Sequence, residues 1–229
     1  MLLLLLSSIL PAVGPVQPQA LTPTSVLSVT PVRAALIDAR AGNREHAISL
    51  GIDLAGFNWF QEVDIGQPAV PSGAEPVGST TVFLVSRHLS GEIFVFGPDG
   101  RIASRRAINE PVTYQPIDLD DDGVMELMVE EIDDWGNGPV YETGYHIYGG
   151  LTEGVRQLWS APAVWLWSKP NPDYGRGLLR FEWRWHHRGP LVLYFADGVK
   201  GGKKLVRREA WEYLNGKFTR TRFPRGPGV

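Results

Sequence analysis

Short runs of apolar or alternating residues recur along this chain, separated by turn signals built from Gly, Pro, Asn and Asp. That recurrence constrains the fold more than any other feature. An alternating or wholly apolar run of four to eight residues suits a strand, whereas a helix needs ten or more residues at a 3.6 period. The spacing predicts strands over 34–39, 46–53, 57–63, 80–86, 91–97, 101–107, 124–131, 140–148, 155–160, 163–168, 178–186, 190–196, 204–213 and 217–223. Two hairpins carry explicit turn chemistry. Pro98-Asp99-Gly100 joins EIFVF to RIASRRA, and Asn215-Gly216 joins REAWEYL to KFTRT, each setting Gly where a positive φ is wanted. Twenty-six glycines and 18 prolines in 229 residues disfavour a helical bundle. Only 33–50 has room for a helix, and its periodicity is poor. The expectation is an all-β protein of antiparallel sheets.

The amino terminus reads differently. Leu2–Val13 is apolar apart from Ser7, Ser8 and Pro11, and at twelve residues it is shorter than the roughly 20 that a spanning helix needs. It has the length of the apolar segment of a secretory signal peptide, although no Lys or Arg precedes it. The chain therefore divides into a signal peptide over 1–20, a linker over 21–32 and a single all-β domain over 33–229. The Pro/Gly/Ser stretch 67–79 is the best internal sub-boundary. No cysteine is present, which excludes a disulfide framework, a thiolate zinc site, a cysteine nucleophile and a lipoprotein anchor. The expected location is secreted, periplasmic or cell surface, with no transmembrane anchor after processing.

Net charge is −3, so bulk electrostatics points to no nucleic acid partner. Charge is nonetheless segregated. Residues 107–155 hold twelve acids and no Lys or Arg, whereas residues 170–229 hold thirteen Lys or Arg against five acids. Two oppositely charged parts of one sheet system explain this most simply; a polyanion-binding face is the alternative.

The acidic half contains the most specific motif. Asp118-Leu-Asp120-Asp-Asp122-Gly123-Val124-Met-Glu126 sets carboxylates at loop positions 1, 3, 5 and 9, with Gly at 6. A hard divalent cation such as Ca²⁺ takes six to eight oxygens, and alternate residues of a tight loop turn theirs inward. The carbonyl of Val124, at position 7, is a further ligand in this pattern. The motif departs from an EF-hand: position 12 is Val129 rather than Glu, and Pro111 and Pro116 exclude the incoming helix.

The stretch IDLDDDGVMELMVEE resembles the calcium loop of FG-GAP or VCBS-type β-propeller repeats, which run strand, loop, strand. The flanks GEIFVFGPDGRI and GPVYETGYHIYGG extend the likeness over about 91–150, and it is specific across 117–127. The resemblance implies Ca²⁺ held in a structural role by Asp118, Asp120, Asp122, the Val124 carbonyl and Glu126, in a secreted or surface-exposed protein. The motif occurs once, with Asp121 where the family usually has Gly or Asn. Some fourteen strands would make only three and a half four-stranded blades. The expected architecture is accordingly an incomplete β-propeller-like array or a β-sandwich.

Other groupings are less specific. Trp165 and Trp167 alternate on one predicted strand, and Phe181, Trp183 and Trp185 on another; such stripes are core or cross-strand pairs, or else a stacking platform for sugar rings. His46, His88 and His146 have no ligand or triad spacing, and adjacent His186 and His187 face opposite ways on a strand. No nucleophile elbow, P-loop or dinucleotide fingerprint is present. Glu130, Glu131, Asp133 and Asp134 offer a glycosidase-like acid pair beside the aromatic stripes. The sequence thus reads as an exported calcium-binding all-β protein with a structural or binding role and no catalysis. The alternatives are a carbohydrate- or cell-wall-binding module, whose partner would be a polysaccharide or an envelope protein, and an extracellular glycoside hydrolase.

Overall fold

The computed structural model describes residues 27–66, 80–134, 142–152, 154–167, 173–184, 187–197 and 203–222. Two helices, α1 (Val29–Arg40) and α2 (Glu45–Ser49), precede the strands. The first four strands are β1 (Phe57–Asp64), β2 (Thr81–Arg87), β3 (Ser90–Phe96) and β4 (Ile102–Ile108). Eight more follow: β5 (Glu110–Ile117), β6 (Glu126–Asp134), β7 (Glu142–Gly149), β8 (Arg156–Trp167), β9 (Asp173–Arg184), β10 (His187–Asp197), β11 (Lys203–Leu214) and β12 (Lys217–Thr221). The first four form one sheet and the last eight another, each a meander in chain order. Every pairing is antiparallel. The protein is all-β, as the turn-separated runs predict, and the eight-stranded sheet stays open with β5 and β12 as its edges.

Three local expectations are corrected. Residues 34–39 and 46–49, expected in strands, are helical, and α1 begins at Val29, inside the expected linker. Val32, Ala35, Leu36 and Ala39 recur at i, i+3, i+4 and i+7, and all four are buried. Two of the four are alanines, which blur the apolar contrast along the sequence while packing well against a sheet. The strand β5 was not expected, because Pro111 and Pro116 lie within it. As an edge strand it has β6 as its one neighbour, and an edge tolerates residues that lack an N–H. Finally, 155–160 and 163–168 form one strand, β8; Pro162 between them pairs with Gly144 where the register of β7 slips.

The layers follow from alternation. In β2 and β3 both faces are buried, which is why TVFLV and EIFVF read as continuous apolar runs. Phe83, Val85, Phe94 and Phe96 pack under the helices with Val32, Ala35 and Leu36. The opposite face, with Val82, Leu84, Ile93 and Val95, packs on Leu127, Val129 and Tyr148 of the larger sheet and on Leu151 of the turn after β7. The two sheets therefore share a core, as in a sandwich. A third cluster fills the far side of the larger sheet with Leu119, Met128, Ile147, Trp159, Val192, Tyr194 and Tyr213. There Trp159 of β8 meets Trp211 of β11 and Phe218 of β12, at 6.2 and 6.0 Å between ring centroids, so the sheet curls back on itself. Residues 191–194 are buried on both faces, as their unbroken apolar run predicts. Among the described residues no helix is long and apolar enough to cross a membrane. Segments 1–20 and 67–79 lie outside the described residues; β1 and β2, on either side of the latter, pair from Phe57↔Arg87 to Asp64↔Thr81.

Candidate metal centre

The acidic motif is the turn of the β5–β6 hairpin. Ile117 and Leu127 pin its ends and Leu119 its interior, each 2% exposed or less. With these apolar side chains turned inward, the alternate residues Asp118, Asp120 and Asp122 are left on the outer side. One oxygen from each lies within 4.8 Å of the others. Asp118 is half-buried, and Asp120 and Asp122 are exposed.

Backbone amides hold the loop in shape. Asp118 accepts from the Asp121 N–H at 2.7 Å and from the Gly123 N–H at 3.2 Å, and Asp122 from the Val124 N–H at 2.7 Å. Asp121 and Gly123 are both left-handed, at φ 63° and 85°. The fourth loop position therefore takes the conformation that Gly, Asn and Asp tolerate best. Val124 forms an isolated bridge with Gly66, and the Met125 N–H donates to Ile65 O at 2.7 Å, docking the loop on the end of the four-stranded sheet. That contact requires a glycine: at Gly66, φ is +71° and a β-carbon would lie 2.3 Å from Gly123 O.

Glu126 stands beside the triad rather than within it. Its side chain accepts from the Leu119 N–H at 3.0 Å and is 8% exposed. Burial, only partly offset by that N–H and added to by Asp120, pushes its carboxyl up to about 7. Asp120 is also raised, by burial first and then by the like charges of Asp122 and Asp118. Tyr213 of β11 is pushed up to about 12 by burial and by Glu126 and Asp120. Burial is the largest cause of all three shifts and the crowding of acids at the turn adds to each, while Arg156 acts the other way on Tyr213. The donor set is all oxygen, hard, and short of positive charge, and it fits a Ca²⁺-type cation.

The other residues singled out from the sequence fall elsewhere. The side chains of Trp165, Trp167 and Trp183, and the whole of Trp185, lie outside the described residues. Glu130 and Glu131 point to opposite faces of β6. Glu130 accepts from the Thr143 hydroxyl at 2.8 Å, while Glu131 is 1% exposed and accepts from Tyr148 Oη and the Asn109 N–H. A grouping that the spacing does not suggest is His146 with Asp133, their Nε2 and Oδ1 2.9 Å apart. The register of β6 on β7 shifts between Ile132 and Asp134, so counting along either strand does not bring the two together. No protein-family model, curated protein or solved structure matches the chain.

Proposed function

We propose that this is an exported protein that binds Ca²⁺ in the β5–β6 turn, the ion serving a structural and not a catalytic role. The observation that carries this reading is the approach of Asp118, Asp120 and Asp122 to within 4.8 Å at a hairpin whose two strands are both anchored in the core. Three carboxylates so placed repel one another, and a divalent cation reverses the sign of that interaction. The Val124 carbonyl and Glu126 complete the ligand set, Glu126 by exchanging the Leu119 N–H for the ion. Because the same turn docks on Ile65 and Gly66, an ion there stiffens the seam between the two sheets. Export rests on the apolar segment Leu2–Val13.

Isothermal titration of the domain with CaCl₂ tests the reading. A dissociation constant of about 10⁻⁴–10⁻³ M is expected, as in extracellular modules. Asp120→Ala should abolish the heat. An ion that binds only the native state at 100 times its dissociation constant stabilises it by about 2.7 kcal/mol. Chelation should then lower the melting temperature by about 5–10 °C. A wild-type titration without heat would end the proposal.

A further inference from the structure

The chain leaves the four-stranded sheet for the eight-stranded one through a single residue, Asn109, between β4 and β5. Carboxylates of β6 accept from its backbone N–H and from its side-chain amide N–H. The Asn109 N–H donates to Glu131 Oε2 at 2.9 Å, and its Nδ2 donates to Asp133 Oδ1 at 3.2 Å. Each carboxylate is held in turn from β7. Tyr148 Oη donates to Glu131, and His146 Nε2 meets the same Asp133 oxygen that takes the Asn109 amide. The His146 ring stacks on Tyr148, with centroids 6.3 Å apart at 15°. Arg106 of β4, on the facing sheet, lies over the other partner of that stack, 5.4 Å from the Tyr148 ring. Gly144 leaves room for the pair, since a β-carbon there would lie 2.1 Å from Asp133 Oδ2 and 2.8 Å from His146 Nε2. His146 is 9% exposed, and its Nδ1 is buried with no hydrogen-bond partner among the described residues.

Among the described residues, the groups that face His146 are Glu131 and Asp133 from β6, Arg106 from β4, Tyr148 from its own strand and Asn109 from the joint. With His146 protonated, two cations balance two carboxylates at the joint. With it neutral, two carboxylates face one guanidinium, the Glu131 carboxylate from a buried position and that of Asp133 from an exposed one.

We propose that His146 is a proton-controlled clamp on the joint between the two sheets: protonated, it fixes Asp133 and through it Asn109, and on losing its proton it lets the joint loosen. The proposal does not depend on the acidic turn. Burial works against the imidazolium, but the hydrogen bond to Asp133 and the charges of Glu131 and Asp133 outweigh it, and His146 is held above its ordinary value. A histidine raised in this way contributes stability that is fully present below about 6.5 and is lost as pH rises through its native value. Glu131, raised first by burial, acts with the same sign from about 4.5 upward.

The test is a pH titration of the full chain by NMR, following the imidazole of His146 and amide exchange at Asn109. The His146 midpoint should lie above 6.5. The protection factor of the Asn109 amide should fall about tenfold for each unit of that excess. In His146→Gln this loss above pH 6.5 should vanish, and in Asp133→Asn the His146 midpoint should drop. A midpoint at or below 6.5 overturns the proposal, as does an Asn109 loss that is the same in His146→Gln as in wild type. Should His146→Gln not fold, the wild-type titration and Asp133→Asn decide the matter.

Discussion

At the scale of single residues, the acidic turn separates acids that can bind from one that only adds charge. Asp118, Asp120 and Asp122 converge, whereas Asp121 occupies the left-handed position at φ 63°. Asn tolerates that conformation as Asp does, so Asp121→Asn removes a repelling charge without strain. Asp121→Asn should therefore leave the calcium titration unchanged and raise the calcium-free melting temperature by about 1–2 °C. If calcium binding were lost with Asp121, the assignment of ligands would be wrong. The triad was legible in the sequence because a tight turn around Gly123 leaves alternate residues few directions to point. The need for Gly66 was not. It arises from contact with Gly123, a residue 57 positions away, and such an approach leaves no local mark.

At the scale of elements, legibility tracks how many neighbours an element has. The strands β2 and β3 were plain because burial on both faces demands an unbroken apolar run. The strand β5 was hidden because having one neighbour lets it keep two prolines that the sequence reads as breaks. Helix α1 was hidden for another reason: a sheet can be covered by a stripe that includes two alanines, which carries little signal. Phe83 sits where these layers meet. It makes edge contacts with Phe60 and Phe96 at 6.2 and 5.7 Å between centroids, and the Arg33 guanidinium lies 5.6 Å above its ring. Phe83→Ala should cost about 3–5 kcal/mol, read as a lower urea midpoint with an unchanged slope. A cost below about 1 kcal/mol would show that the helices do not form a packed layer.

At the scale of the whole molecule, turn composition marks where the chain bends but not which sheet the next strand joins. The Pro/Gly/Ser-rich stretch 67–79 lies between β1 and β2, which pair with each other, while the passage between sheets takes one residue, Asn109. Sheet membership is decided by which apolar faces meet, a long-range property that spacing does not encode. Here Val82, Leu84, Ile93 and Val95 meet Leu127 and Val129, so neither sheet has a complete core by itself. The helices cover the other face of the small sheet, where they pack on Phe83, Phe94 and Phe96. Removing the large sheet would expose four fully buried aliphatic side chains on β2 and β3, at about 1.5–3 kcal/mol each, more than so small a unit can lose and stay folded. Unfolding should consequently be one transition. Far-ultraviolet circular dichroism, which reports backbone structure in both sheets, and tryptophan fluorescence, which includes Trp159 and Trp211 in the curled sheet, should give the same urea midpoint. Val129→Ala, in the shared core, should lower both midpoints together. Two separated midpoints, or a Val129→Ala effect on one signal alone, would mean that the sheets are independent units and that the seam at Asn109 and Gly66 joins folded parts instead of completing them.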